Sequence, residues 1–547
     1  MKPVLAIAAL ALCAVLATLR SPGLTIDESL NVRPGVVLVR AERSYGLGVL
    51  DPSAQREIFT VAGLPTDYPP LGRFLLGIGH EVAGAFVRPK VVGSPGDIDV
   101  VLARTSSAVA FGLTIALVGF FARRWYGDVA AVAAALAVAV NARLFGHAHQ
   151  ASIETVLNLV FTACVLLSAD RLSRPALPRD EAAASDDAST PPTLRREAAV
   201  CGLLWGLVLL TKIQAVLIPL PLAGWLLWHR RTRAIEPLAI FGGVGLLTFL
   251  VGWPWLWDAP IDRMLAYFGQ GTDRIVLHAY AFGTTYDDRD VPLAYVPTMF
   301  ALTTPLAALL LGGRGLWLSR RHAPSQLVTA TMGFVLVFFM VPAIVVYDGV
   351  RLFLVAFPLW AVLVGAGAAD VWHRLAARRR LRLWLAIAAV ALPTLRLLTL
   401  FPCWLAGYTI GTGPALAVGM EGSYWGDAVT PSLLAAADRD ERDQVVLLTP
   451  TLHVAQLTEQ AAHAGYELAE FTPERNADGR FRDLIVFSRW ADLEADGIPA
   501  RLLAATPGET IDGWTVTHVV RREGGTLAVL AQRGARTTQD VRRDPNR

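Results

Sequence analysis

The chain has 547 residues, 54% of them hydrophobic and only 17% charged, where an average soluble domain carries about 25% charged residues. So little charge cannot cover a water-facing surface of this size, which excludes an ordinary soluble globular protein, and a net charge of +3 gives no reason to expect nucleic acid as a partner. Cys13, Cys164 and Cys201 lie inside apolar runs and Cys403 at the end of another, which argues against a disulfide framework or a thiolate metal site.

The apolar excess falls in runs of roughly 17 to 25 residues, long enough to cross a hydrocarbon core of about 30 Å. Eleven such runs are expected to be membrane-spanning helices: 3–19, 104–122, 127–144, 151–169, 197–212, 213–229, 236–257, 293–312, 327–346, 351–369 and 382–402. The first begins with one Lys and is followed by no convincing cleavage site, so it reads as an uncleaved helix. Trp253, Trp255 and Trp257, at the end of a run, fit an interfacial aromatic belt. Arginines gather in alternate connections, at Arg123–Arg124, Arg171–Arg196, Arg230–Arg233, Arg314–Arg321 and Arg374–Arg382. Positive charge stays cytoplasmic, so the N-terminus is inside. Residues 20–103, the turn near His147, the loop 258–292 and everything after about 403 then share the outer face. The stretch 171–196, rich in Ala, Ser, Asp and Pro, reads as a cytoplasmic linker.

The expected architecture is an all-α polytopic membrane bundle over 1–402, with a large outer loop at 20–103, followed by a small soluble α/β domain over 403–547. In that tail Gln444–Leu448, Asp483–Phe487, Trp514–Val520 and Thr526–Ala531 alternate as strands do, and Leu452–Ala464 is helical in pattern.

Candidate chemistry begins right after the first span, at Thr25-Ile26-Asp27-Glu28. Two carboxylates held at the membrane surface suit a general base, and the same residues suit an acidic helix N-cap. Next comes Asp67-Tyr68-Pro69-Pro70-Leu71-Gly72-Arg73. Its prolines stiffen the entry to an amphipathic helix, and Arg73 is placed either to pair with a lipid phosphate or to snorkel. His147 and His149 diverge if helical and share a ligand if on a loop. They read as metal ligands, helix caps or substrate contacts. Glu154, about a turn into the membrane, needs a cavity or a partner. Lys212 and Arg351 stand at the outer ends of spans, as phosphate-binding groups or snorkelling anchors. Tyr286 and Asp287, in a loop with Asp273 and Arg274, and Tyr347 and Asp348 just before Arg351 are candidate sugar contacts.

Taken in order, these motifs resemble a family. Asp27-Glu28 followed by Asp67-Tyr68-Pro69-Pro70-Leu71-Gly72-Arg73 is similar to the protein O-mannosyltransferases of glycosyltransferase family 39, in the GT-C class, whose second motif reads Asp-x-His-Pro-Pro-Leu-Gly-Lys. Tyr68 stands for the His and Arg73 for the Lys. The related aminoarabinose transferases match only at the acid before the two prolines. Gly206–Lys212, Arg351–Pro358 and Met420–Trp425 resemble further elements of the class.

The resemblance implies an inverting transfer of a mannose-like hexose or related sugar from a polyprenyl-phosphate donor to a hydroxyl of an acceptor protein, lipid or glycan. It implies that Asp27 is the base with Glu28 its neighbour, that Arg73, Lys212 and Arg351 hold the donor phosphate, and that Asp67, Tyr68, His147, His149, Glu154, Tyr286, Asp287, Tyr347 and Asp348 line the substrate site. Some GT-C enzymes bind a divalent cation, for which Asp27, Asp67 and His147 are the candidate ligands. A lipid or sugar transporter is the alternative, although no internal repeat is evident and the acids cluster in outer loops. A binding module anchored by a bundle is a third, for which eleven spans are excessive.

Overall fold

A computed structural model describes residues 1–59, 68–87, 98–173, 192–269, 275–437, 445–450, 467–478 and 481–533. Asp67, Asp273, Arg274, most of the 171–196 linker and the helical stretch expected at 452–464 lie outside the described residues.

Each of the eleven apolar runs is largely helical, and the molecule is an integral membrane protein. Among the described residues four helical stretches are long and apolar enough to cross a bilayer, Val100–Tyr126, Ile153–Leu172, Ile213–Val251 and Arg379–Thr399, or six if two bent pairs each count as one span. The pairs break where the sequence supplies an N-cap or a proline. Asn141 accepts the Leu144 N–H and bends the chain by 64° between Asp128–Ala139 and Ala142–Ala148. Pro305 separates Tyr295–Thr303 from Leu306–Ser319, which cross at 115°. The stretch Ile213–Val251 is itself divided at Arg231, whose φ of 51° ends the helix Pro219–Arg230. These breaks make the helical segments shorter than the apolar runs from which they derive.

The described parts of the segment between the first two apolar runs are helical too. Thr25 opens the helix Ile26–Tyr45 with a capping box: the Glu28 carboxylate accepts the Thr25 N–H at 2.8 Å. This helix crosses Pro70–Val87 backbone to backbone. A Cβ on Gly35 would lie 2.1 Å from the Arg73 carbonyl oxygen, and one on Gly77 would lie 2.2 Å from that of Gly35, so only glycine fits at the crossing. The start of Pro70–Val87 is pinned in turn by Leu71 N–H to the Leu210 carbonyl, 2.9 Å. Three segments far apart in sequence, around residues 27, 73 and 212, therefore meet at one end of the bundle.

Two small sheets sit at that end. A hairpin pairs β1 (His278–Ala281) with β2 (Thr284–Asp287). The C-terminal sheet contains β3 (Val445–Thr449), β4 (Glu467–Glu470), β5 (Asp483–Phe487), β6 (Thr510–Ile511), β7 (Trp514–Arg522) and β8 (Gly525–Gln532), in the order β4-β3-β5-β8-β7-β6. β3 pairs in parallel with β4 and β5, and the remaining pairings are antiparallel. All five β5 residues are buried, as a central strand covered on both faces must be. Leu448, Ile485 and Leu530 share a buried cluster with Leu24, Val32, Val36 and Val429, so the sheet rests directly on the helix Ile26–Tyr45. The four strands expected from sequence are present within a few residues. The hairpin, β4 and β6 carry too few residues to show a period of two.

Candidate active site

The end of the bundle under the sheet holds a chain of buried charges. Arg351, one residue past the Asp348-Gly349-Val350 turn, pairs with three carboxylates: Asp27, Glu154 at 2.8 Å and Asp348 at 2.9 Å. The turn needs positive φ at both Asp348 (56°) and Gly349 (64°), conformations that suit Asp and Gly. It aims the Arg351 guanidinium under the face of Trp425, 4.6 Å away, with Tyr347 at 5.7 Å. Glu154 Oε1 is shared: it also accepts from Lys212 Nζ at 2.6 Å, while Oε2, buried, has no hydrogen-bond partner. Asp27, Glu154, Lys212, Tyr347, Asp348 and Arg351, drawn from four separate stretches of sequence, thus form one cluster.

Other expected residues adjoin it. Arg73 donates to the Asn31 side chain at 3.3 Å, and Asn31 donates to the Asp27 carbonyl at 2.8 Å, so Arg73 reaches the Asp27 helix through one amide. Tyr68 lies under the Arg73 guanidinium, 4.5 Å away. His147 is fully buried, 3.1 Å from the Tyr424 hydroxyl and edge-on to Trp425, with Nδ1 lacking a partner. It stands behind the aromatic wall of the cluster.

Glu28, His149 and the hairpin residues are placed differently from the sequence reading. Glu28 is not beside Asp27 in the cluster. Both its oxygens are sealed by Arg104 (2.7 and 2.8 Å) and by the N–H groups of Thr25 and Ala151, at zero exposure, as consecutive residues on a helix point about 100° apart. It holds the helix start in place. His149 turns away from His147, hydrogen-bonded to the Phe145 carbonyl and the Thr18 hydroxyl (2.8 Å each) and stacked on Trp404. The two imidazoles diverge, as an i, i+2 pair at a helix end must. Asp287 is exposed on β2, 3.6 Å from His278, and Tyr286 is half-buried beside it. Among the described residues no three His, Cys, Asp or Glu side chains gather as metal ligands; Asp27 is held by Arg351 and His147 by Tyr424.

Arg489, His278 and Arg143 extend the site. Arg489, after β5, reaches down from the sheet to Asp348 (2.8 Å) and also bonds Asp492 and the Tyr424 carbonyl. His278 of the hairpin lies 3.4 Å from Asp492. The sheet and the hairpin are therefore tied to Arg351 through Asp348, a connection no local pattern could announce. Arg143, at zero exposure, lies between the rings of Tyr408 (4.6 Å) and Tyr424 (5.6 Å) without an ordinary hydrogen bond. An arginine within an apolar run was its available signal.

The junction is held by Glu421, whose carboxylate accepts the N–H groups of Trp490 (2.6 Å) and Ala491 (3.3 Å). Burial pushes this carboxyl up to about 8, opposed by Arg489 and assisted by Asp492, and pushes nearby Asp427 up to about 6. A group whose folded pKa exceeds its unfolded value contributes stability that is complete below the unfolded pKa and is lost as pH rises through the folded one. The thermal midpoint of the detergent-solubilised protein should therefore fall as pH rises from about 5 to about 9, and Glu421→Gln should flatten that fall. An unchanged slope in the variant would remove Glu421 as its source.

No family profile matches the chain, and no curated protein matches it. Solved structures do. ArnT from Cupriavidus metallidurans in the apo state aligns over 96% of this chain and 97% of its own, with a TM-score of 0.51 at 15% identity. The same protein bound to undecaprenyl phosphate aligns over the same shares, with a TM-score of 0.49 at 15% identity. An oligosaccharyltransferase from Archaeoglobus fulgidus, tethered to an acceptor peptide, aligns over 88% of this chain and 69% of its own, with a TM-score of 0.45 at 10% identity. Through its likeness to apo ArnT over nearly the whole of both chains, this chain shares that protein's overall fold.

Proposed function

We propose that this protein is an inverting glycosyltransferase that moves a mannose-like hexose or related sugar from a polyprenyl phosphate to an acceptor hydroxyl, at a site on the extracytoplasmic face of a bundle of eleven spans. The observation that carries the reading is the meeting of Asp27, Glu154, Lys212 and Arg351 at one end of the bundle. Such a donor keeps its chain in lipid and its phosphate at the interface. Transfer there needs a carboxylate to take a proton and cations to receive the phosphate charge. Asp27 accepts the acceptor hydroxyl proton, the freed oxygen attacks the anomeric carbon, and the bond from that carbon to the phosphate oxygen breaks. Lys212 and Arg351 neutralise the departing phosphate, with Arg73 assisting from beyond Asn31. Glu154 balances the two cations while no phosphate is present. The C-terminal sheet holds Asp348 through Arg489, and the region 403–547 that contains it is the expected seat of the acceptor, whether protein, lipid or glycan.

Membranes containing the protein and a labelled polyprenyl-phosphate sugar should yield labelled acceptor. Lys212→Met should reduce that yield by about 10²- to 10³-fold, the worth of one group that stabilises developing charge. Uptake of sugar or lipid into sealed vesicles with no bond transfer would instead establish a transporter.

A further inference from the structure

The helix Arg379–Thr399 is unlike the rest of the bundle: none of its 21 residues is buried. Its half-buried positions, Arg382, Ala386, Ala389, Val390, Pro393, Arg396 and Leu397, nevertheless form one stripe at helical spacing that faces the bundle. Between that stripe and the helices Asp128–Ala139, Leu306–Ser319 and Ala356–Arg374 lies an apolar groove of about 490 Å³. A cavity of about 170 Å³ shares Val140, Pro305, Ala307 and Pro393 with it and carries the space on to Arg396. From Arg382 to Arg396 the groove runs about 21 Å at 1.5 Å per residue, most of one leaflet and part of the next. Neither cavity is lined by a residue of the Asp27–Lys212 cluster.

The charges at its two ends differ. Arg396 is already engaged by Glu523 at 2.7 Å. At the other end Arg382 is stacked on Trp372 at 4.1 Å, and Arg378, Arg379 and Arg380 are exposed; among the described residues none of the four has an ion-pair partner. The acids nearest that end are both neutralised, Asp128 by Arg123 at 2.5 Å and Asp370 by Arg314 and Arg374 at 2.8 Å. A chain-length apolar slot that ends at four unpaired guanidinium groups is complementary to one kind of molecule.

We infer that the groove is a binding site for an anionic phospholipid, with an acyl chain between Arg379–Thr399 and the bundle and its headgroup phosphate on Arg382 and the neighbouring arginines. The lipid takes the place of the direct helix packing that this helix lacks. Its site is separate from that of the proposed sugar donor.

The intact protein, purified in detergent, would be mixed with dioleoylphosphatidylglycerol or dioleoylphosphatidylcholine and bound lipid counted by native mass spectrometry. Phosphatidylglycerol should be retained at least fivefold better. Arg382→Gln should cut that preference by roughly fivefold, the worth of one cation at an anionic headgroup. Ala389→Trp, on a helix without buried residues and hence tolerant of the change, should exclude both lipids. Equal retention of the two lipids, full retention in Ala389→Trp, or stoichiometric displacement by undecaprenyl phosphate would each overturn the proposal. Monodisperse elution of both variants on size exclusion separates loss of the site from loss of the fold.

Discussion

Asp27→Asn should lower sugar transfer by about 10²- to 10⁴-fold, the usual contribution of a positioned general base, with donor binding changed by only about twofold. Asparagine is isosteric and keeps a hydrogen bond to Arg351, while Arg351 retains Glu154 and Asp348 as partners. The cluster therefore keeps its arrangement and the cations Lys212 and Arg351, and only the proton acceptor is gone. The split between transfer and donor binding separates this role from a structural one. Loss of donor binding together with activity would make Asp27 a positioning residue for Arg351, and unchanged transfer would move the base elsewhere.

The sequence displayed what is local. The apolar runs, the Asp27-Glu28 pair and the cations Lys212 and Arg351 at the ends of their runs are features of composition and position, and Glu154 was conspicuous because a carboxylate that deep in an apolar run requires a partner. That partner proved to be both Lys212 and Arg351. What could not be read was which charges would meet. Glu28 and Asp27 are adjacent in the chain, yet one faces Arg104 and the other Arg351, because the angular step of a helix sends them to different neighbours. Arg104 stood at the edge of an expected span. It lies within the longer helix Val100–Tyr126 at zero exposure. Arg489 follows a buried strand in the C-terminal sheet, and its bond to Asp348 joins residues 141 apart. Contacts of that kind depend on how the sheet seats on the bundle, which hydrophobic periodicity does not encode.

Glu28→Gln and Arg104→Met should each destabilise the fold by about 3–5 kcal/mol, since removing one member of a buried ion pair leaves the other charge uncompensated. The effect should appear as a large fall in thermal midpoint and in the yield of monodisperse protein. The double replacement by apolar residues decides how the pair works. Buried ion pairs are often exchanged for well-packed apolar residues at little cost, but this one also serves the backbone. Arg104 donates to the carbonyl groups of Leu19, Pro22 and Gly23, and Glu28 accepts the N–H groups of Thr25 and Ala151. Glu28→Met with Arg104→Met would strand all five, each worth about 1–3 kcal/mol when buried without a partner. The double variant should therefore be no more stable than either single one, whereas recovery would mean that the charges matter only to each other. Because Asp27 is the next residue to Glu28, the same pair sets where the proposed base stands. Any folded fraction of Glu28→Gln should then transfer sugar slowly while binding donor normally, the signature of a carboxylate displaced from its acceptor.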